Sequence, residues 1–209
     1  MKILKMMAVA ALFMPLLFSC SGGSSSDNKL FGAIPDQYAQ FLEDKAKIKE
    51  EAKNIKTAED KKALIEKSEK MTEKWREKIG ESAKALSGKP IEIADCDFNV
   101  TEPMSLEFED FFSKSDLTMN FKLKGAAAVK ADTKTELDYV RKSLQVYIVG
   151  YDAEGNEVYK TKAGFVDAEN ADGKVLLKAN TPVKFDYIHF GKSDVEGSKA
   201  AKTYKLEVK

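Results

Sequence analysis

The sequence contains only two cysteines and one histidine among its 209 residues. Two cysteines cannot build a disulfide scaffold, and a single histidine argues against a histidine-based metal site or a metalloprotease. The 34 basic and 34 acidic side chains balance, so the chain lacks the basic excess with which proteins neutralise nucleic-acid phosphates. The motifs G-x-S-x-G, H-E-x-x-H, C-x-x-C and the P-loop are also missing. These absences predict a protein that is not an enzyme and that binds no metal, cofactor or nucleic acid.

A charge-free run near the N-terminus has the form of a secretory signal. Lys2 and Lys5 precede the thirteen uncharged residues from Met6 to Phe18, which as a helix would measure roughly 20 Å. The hydrocarbon core of a bilayer is roughly 30 Å thick, so this run is too short to span it. Residues 1–19 are therefore predicted to be a signal peptide.

The residues that end this run resemble the lipobox of bacterial lipoproteins. In Leu17-Phe18-Ser19-Cys20 an aliphatic residue and a small residue precede the cysteine as in the lipobox, with Phe18 where a smaller residue is usual. The resemblance implies that Cys20 receives a diacylglycerol and that cleavage occurs just before it. The alternative is an ordinary signal peptide followed by an incidental cysteine.

Residues 20–34 are predicted to form a flexible tether, because serine and glycine dominate the part after Cys20. Acyl chains on Cys20 would hold the rest of the protein at a membrane. A general resemblance to lipoproteins of the Bacteroidota implies that this membrane is the outer membrane. Surface export in that group is associated with acidic residues soon after the cysteine, and here the first is Asp27. The periplasmic face is therefore favoured over the cell surface.

Residues 35–88 carry 25 charges in 54 positions, with apolar residues at helical spacing. One apolar stripe ends at Ile55 and a second begins at Leu64, half a turn out of phase with the first. A break near residues 54–57, with Thr57 capping a second helix, resolves the mismatch. The pattern predicts an antiparallel helical hairpin. It is interpreted as a solvated pair that packs on itself or on the next domain, with a partner-docking arm as the alternative.

Residues 89–209 alternate apolar and polar side chains with a period of two, which is typical of half-buried strands. About eight short strands separated by turn residues predict an antiparallel sandwich. The clearest alternations cover 104–109, 117–124 and 204–208, and further strands are predicted near 91–101, 143–151, 156–161, 174–178 and 183–190. The stretch 144–155 resembles a hairpin of the small immunoglobulin-like sandwiches of bacterial secreted lipoproteins. The predicted fold is α+β, a helical hairpin followed by an immunoglobulin-like β-sandwich.

The strand 143–151 is apolar on both faces, which predicts that both faces are covered. One cover is the opposing sheet, and the helical hairpin is the favoured second cover. The alternatives are a partner protein or an exposed aromatic patch that binds a glycan. The candidate stacking residues for such a ligand are Tyr147, Tyr151 and the only tryptophan, Trp75, although a tryptophan in a helical stripe is more often part of a core.

Three isolated groups are interpreted without catalysis. His189 is in phase with the apolar residues of 183–187, so it is predicted to face inward or end a strand with a local hydrogen bond. Cys96 lies between two aspartates that disfavour a thiolate, and is predicted to be buried and inert. The acidic stretch 167–173 is predicted to be a turn, because Ala171 falls where a calcium ligand is needed.

Two hypotheses of function follow from the sequence. The first is a non-enzymatic envelope lipoprotein that binds a protein partner or acts structurally. The second is a surface lipoprotein that binds a glycan or another ligand through its aromatic residues. An enzyme is a distant third.

Overall fold

The structure is a computed structural model that describes residues 30–135, 142–171 and 174–208. The predicted signal peptide, Cys20 and the first part of the predicted tether lie outside the described residues.

Two long helices open the described chain. Helix α1 spans Ile34–Ala52 and α2 spans Ala58–Leu86, so the break falls where the phase shift of the apolar stripes predicts it. The Thr57 hydroxyl accepts a hydrogen bond from the backbone N–H of Asp60 at 3.0 Å, and the Asp60 carboxylate accepts one from the Thr57 N–H at 3.1 Å. This reciprocal pair is a capping box, and it confirms Thr57 as the N-cap of α2.

The two helices run antiparallel. Near the middle of α1, Asp44 accepts a hydrogen bond from Trp75 in the later part of α2. Farther along α1, Glu51 forms an ion pair with Lys67, which comes earlier in α2. Because α2 returns along α1 in this way, the predicted helical hairpin is confirmed.

The remaining described residues form eleven strands, one short helix and one 3-10 turn. The strands are β1 Pro90–Ile91, β2 Phe98–Ser113, β3 Thr118–Val129, β4 Thr133–Thr135, β5 Ser143–Tyr151, β6 Glu157–Asp167, β7 Glu169–Ala171, β8 Lys174–Leu177, β9 Val183–Phe185, β10 Tyr187–Phe190 and β11 Thr203–Val208. The 3-10 turn covers Lys192–Asp194 and α3 covers Val195–Ala200. Each predicted strand region contains strand residues, but 91–101 is divided between β1 and β2 by the loop 92–97.

The strands form antiparallel sheets. Sheet 1 has the order β1-β2-β3-β10, sheet 2 the order β11-β5-β6-β9, and a small third sheet the order β4-β8-β7. The inward residues of sheets 1 and 2 belong to the same hydrophobic core as the apolar residues of the hairpin. The predicted α+β class, with helices first and antiparallel strands after them, is confirmed.

The hairpin and the residues just before it cover part of the inner face of sheet 1. From α1, the Tyr38 ring lies 5.7 Å from the Phe190 ring, centroid to centroid. The Phe31 ring lies 5.5 Å from the Phe121 ring and 4.5 Å from the Phe190 ring, centroid to centroid. On α2, a Cβ added to Gly80 would meet the Phe111 ring of β2 at 3.5 Å, so helix backbone and strand side chain are in close approach. The opposite, outer face of this part of sheet 1 carries exposed side chains.

The N-terminal boundary of the folded part lies earlier than predicted. Leu30 and Phe31 are each only 1% exposed, and the Leu30 N–H donates to the Tyr204 hydroxyl at 3.3 Å. Burying two large apolar side chains stabilises the fold by several kcal/mol, on the order of 1.5–3 each. The prediction of a flexible tether over 20–34 is therefore wrong for residues 30–34.

The predicted strand 183–190 is two strands that belong to different sheets. Strand β9 pairs with β6 in sheet 2, whereas β10 pairs with β3 in sheet 1. The chain crosses between them at Asp186, whose N–H donates to the Ala163 carbonyl at 2.8 Å. The crossing reverses which residues face the core, so Phe190 is buried and His189 is exposed. Of the two predicted placements of His189, the inward one is wrong for this reason; His189 lies one residue from the end of β10 and is hydrogen bonded to Asn120.

Both faces of β5 carry buried residues, but the hairpin is not the second cover. Leu144, Val146 and Ile148 face the core, and Val149 on the other face is also buried. The hairpin packs on β2 and α3, while β5 packs on β6, β11 and α3. The favoured prediction of a hairpin over this face is therefore not what the packing shows.

Candidate functional site

A groove of about 440 Å³ crosses the outer face of sheet 1, on the side away from the hairpin. We call it the outer groove. Its residues come from β2, β3 and β10, from Asp186 just before β10, and from two positions of β6 in sheet 2. The side chains that carry its chemistry are Glu109, Asp110, Phe112, Asn120, Tyr187 and His189.

Two irregularities in β2 place side chains in the outer groove. The register between β2 and β3 shifts between Phe108 and Asp110 and again between Phe111 and Ser113. Each shift inserts an extra residue on β2, as in a β-bulge. Phe108 and Phe111 thereby pack against the core, while Asp110 and Phe112 are exposed on the outer face.

The outer groove carries two exposed aromatic rings. Phe112 is 74% exposed and Tyr187 is 43% exposed, although most large apolar side chains of the described residues are buried. The Phe112 ring lies 6.0 Å from the His189 ring, centroid to centroid. Exposed rings grouped in one depression are typical of a contact surface, because water-facing apolar area otherwise costs solubility.

A chain of hydrogen bonds fixes the polar groups between the rings. The Asn120 amide NH₂ donates to an Asp110 carboxylate oxygen at 3.0 Å. Asn120 must therefore present its carbonyl oxygen to His189 Nδ1, which lies 2.6 Å away. A carbonyl only accepts, so Nδ1 is the donor and Nε2 carries no part of this chain. The three side chains form an ordered hydrogen-bonding strip along the outer groove.

The charge of the outer groove is more acidic than basic. Three carboxylates, Glu109, Asp110 and Asp186, line it together with one lysine, Lys162, which lies 3.4 Å from Asp186. The backbone N–H of Tyr187 lowers the pKa of Asp186, with a smaller contribution from Lys162. Asp186 is therefore ionised at neutral pH, and the outer groove repels anions.

The predicted stacking residues Tyr147 and Tyr151 lie elsewhere, on the face of β5 that points away from the core of sheet 2. The Lys160 ammonium lies 4.3 Å from the centre of the Tyr147 ring, and the Lys205 ammonium lies 5.6 Å from the Tyr151 ring. Glu207 accepts a hydrogen bond from the Tyr151 hydroxyl. Each ring therefore has a cation against it, and neither residue belongs to the outer groove.

The third predicted stacking residue, Trp75, is part of the core. It is 6% exposed, its Nε1–H donates to Asp44 at 3.1 Å, and the Lys78 ammonium lies 4.7 Å from its ring. Hydrogen bonds from Lys47 and Trp75 lower the pKa of Asp44. Trp75 joins the two helices and offers no open ring face to a ligand, so the structure does not group it with Tyr147 and Tyr151.

A second depression, a cleft of about 780 Å³, contains Cys96. The thiol is partly buried, and its nearest hydrogen-bond partner is the carbonyl oxygen of Phe98 at 3.6 Å. The neighbouring Asp95 forms an ion pair with Lys130 at 2.5 Å, which lowers the pKa of Asp95. The prediction of a buried cysteine is thus corrected to a partly buried one that contacts a carbonyl.

The described residues of the acidic stretch 167–173 are not the predicted turn. Asp167 ends β6, residues 169–171 form β7, which pairs with β8, and only Ala168 lies between the two strands. Residues 172–173 lie outside the described part. Within residues 30–135, 142–171 and 174–208, no group of three or more histidine, cysteine or acidic side chains is placed to hold a metal ion.

Sequence reasoning did not identify Phe112, Asn120 or Tyr187 as site residues. One signal was present: Phe111 and Phe112 are adjacent in a strand that otherwise alternates, so one of the two rings must face away from the core unless the strand is irregular. The sheet crossing at Asp186, which turns Tyr187 and His189 outward, has no comparable signal in the sequence.

No protein-family model, curated protein or solved structure significantly matches this chain. In the part of the chain that the structure describes, neither long helix has an apolar stretch that would let it cross a bilayer.

Proposed function

We propose that the protein is a lipoprotein of the cell envelope, anchored to the periplasmic face of the outer membrane through lipid on Cys20. The lipobox-like residues 17–20 and the signal-like run before them support this proposal. The described residues begin at Leu30, so the proposed tether from Cys20 would have about ten residues. A flexible tether of that length has a root-mean-square reach of about 17 Å, which would keep the domains close to the membrane.

We propose further that the anchored part is a non-enzymatic binding module and that the outer groove is its recognition surface. The observation that carries this proposal is the exposed Phe112 ring next to His189. Both residues line the same groove as Tyr187 and the hydrogen-bonded polar strip.

The proposed scaffold for this surface is an immunoglobulin-like β-sandwich. Two four-stranded antiparallel sheets that share one core, and a strand pair that crosses from one sheet to the other at Asp186, support the assignment.

Metabolic labelling tests the anchor, with the second cysteine as a matched control. Cells producing the wild-type chain, Cys20→Ala or Cys96→Ala are grown with a radiolabelled fatty acid, and membranes are separated from soluble protein. The proposal predicts fatty-acid label on the wild type and on Cys96→Ala, and none on Cys20→Ala. Label on Cys20→Ala would contradict the proposed anchor.

Protease treatment of intact cells tests the proposed face of the membrane. A C-terminally tagged chain on the periplasmic face should resist added protease until the outer membrane is permeabilised. Cleavage in intact cells would place the binding module on the cell surface.

A further inference from the structure

We infer that the outer groove binds a neutral carbohydrate chain, an inference that rests on the proposed binding function and adds the class of ligand. The juxtaposition behind it is two exposed rings, Phe112 and Tyr187, separated by a strip of amide, carboxylate and imidazole groups. A sugar ring has an apolar face of C–H groups and a rim of hydroxyls. Aromatic faces pack against the first, and paired polar groups bind the second.

The arrangement of the strip suits hydroxyl groups in particular. Tyr187 and His189 are two residues apart on β10 and lie on the same face, roughly 7 Å apart along the strand. Between the rings, the Asp110 carboxylate accepts hydrogen bonds, and His189 Nε2 is not used by the Asn120 contact. A hydroxyl both donates and accepts, so it can satisfy a carboxylate and an imidazole nitrogen together.

The bonds within the strip reduce the cost of binding. Asp110, Asn120 and His189 are already held in place by each other, so fewer side-chain rotamers are lost when a ligand arrives. Phe112 stands on a bulge of β2, a rigid position in the sheet. The outer groove is in this sense prepared for a ligand.

The charge of the outer groove selects among ligands that bind aromatic rings. Single-stranded nucleic acid also stacks on aromatic side chains, but it requires a positively charged groove. Here three carboxylates, Glu109, Asp110 and Asp186, stand against Lys162. Phosphates, uronic acids and sulfated sugars would meet repulsion, so among sugar chains the electrostatics favour neutral ones over anionic ones.

Affinity electrophoresis of the purified mature lipoprotein in detergent provides the test. Native gels contain dextran, soluble starch, laminarin or galactomannan as neutral probes, and polygalacturonate or heparin as anionic ones. Retardation by at least one neutral probe and by neither anionic probe is expected. Tryptophan fluorescence would be a poor readout of binding, because Trp75 does not line the outer groove.

Two variants locate the binding. Phe112→Ala should weaken the apparent affinity by about tenfold, as expected for loss of one aromatic stacking contact, and His189→Ala should weaken it as well. Val100→Ala removes an exposed apolar side chain from the same strand outside the outer groove and should leave the affinity unchanged. Circular dichroism of each variant confirms that it is folded.

The inference is overturned if none of the neutral gels retards the wild-type chain, or if Phe112→Ala is retarded as strongly as the wild type. Stronger retardation by the anionic probes would also overturn it. A protein that crosslinks to the outer groove while all neutral gels leave the chain unretarded would refute the carbohydrate and leave the proposed binding function standing. Absence of fatty-acid label on the wild-type chain would refute the proposed lipid anchor and would leave the carbohydrate inference untouched.

Discussion

Replacing Phe31 by alanine should destabilise the protein strongly, although this residue was expected in a flexible tether. Phe31 is 1% exposed, and its ring lies within 6.0 Å of the rings of Phe121, Tyr159 and Phe190, centroid to centroid. A phenylalanine-to-alanine change in a core costs about 3–5 kcal/mol, and aromatic pairs add about 0.5–1.5 kcal/mol each beyond burial. We expect a loss of about 4 kcal/mol, which is a large part of the stability of an ordinary domain.

Urea unfolding of the mature chain measures this loss. Trp75 fluorescence reports the hairpin, because Trp75 is the only tryptophan and is buried, and far-ultraviolet circular dichroism reports the sheets. With a denaturant slope of about 2 kcal/mol/M, a loss of about 4 kcal/mol lowers the midpoint by roughly 2 M.

The matched control for Phe31→Ala is the same substitution at an exposed ring. Phe112→Ala removes a side chain that is 74% exposed, so the free energy of unfolding should change by less than about 0.5 kcal/mol. A loss below about 1 kcal/mol in Phe31→Ala, or equal losses in the two variants, would refute the packing of residues 30–34 against the core.

Three smaller predictions concern the N-cap of α2, a glycine of β6 and the partly buried carboxyl of Asp194. Thr57→Ala removes the capping box of α2 and should lower the free energy of unfolding by about 1 kcal/mol; Thr57→Ser, which keeps the hydroxyl, should lose much less. Gly164→Ala should be far more destabilising than Gly155→Ala in thermal unfolding, because its Cβ would lie 2.1 Å from the Lys184 carbonyl oxygen while nothing lies within 4 Å at Gly155. Burial raises the pKa of Asp194 above its ordinary value of 3.8. The folded state therefore binds more protons at this carboxyl than the unfolded state. The contribution of Asp194 to the free energy of unfolding should fall as the pH rises past that value.

The pH prediction is measured as a difference between two chains. In Asp194→Asn the amide oxygen can still accept the Gly191 N–H, which bonds to the wild-type carboxylate at 2.8 Å. The free energy of unfolding of the variant, minus that of the wild type, should therefore rise as the pH increases from below the ordinary pKa of 3.8 towards neutrality. A difference that stays flat or falls over that range would contradict the raised pKa.

The helical part of the fold follows from the sequence because its signals are local. The half-turn mismatch between the stripes around Ile55 and Leu64 requires a break, and the Thr57 cap marks where the second helix begins. The alternation in 117–124 and 204–208 likewise defines β3 and β11, since one apolar face and one polar face suffice to orient a strand.

The candidate site was missed because its signals are not local. The burial of Phe31 also has no local signal, because its ring packs against rings that are distant in sequence, those of Phe121, Tyr159 and Phe190. The outward orientation of His189 depends on the chain changing sheets at Asp186, which a regular alternation through 183–190 conceals. Tyr147, Tyr151 and Trp75 are aromatic, but residue type does not reveal that a lysine side chain lies against each of these rings.

The central claim, that the outer groove is the recognition surface of an envelope lipoprotein, is tested most directly by photocrosslinking in living cells. A benzophenone amino acid replaces Phe112 in one chain, Tyr147 in a second and Ile65 in a third, and benzophenone inserts into C–H bonds of proteins and glycans alike. Ile65 is the exposed control on the hairpin. The account predicts crosslinked adducts at position 112 and none at positions 65 and 147. Adducts at position 65 or 147 with none at position 112 would contradict it.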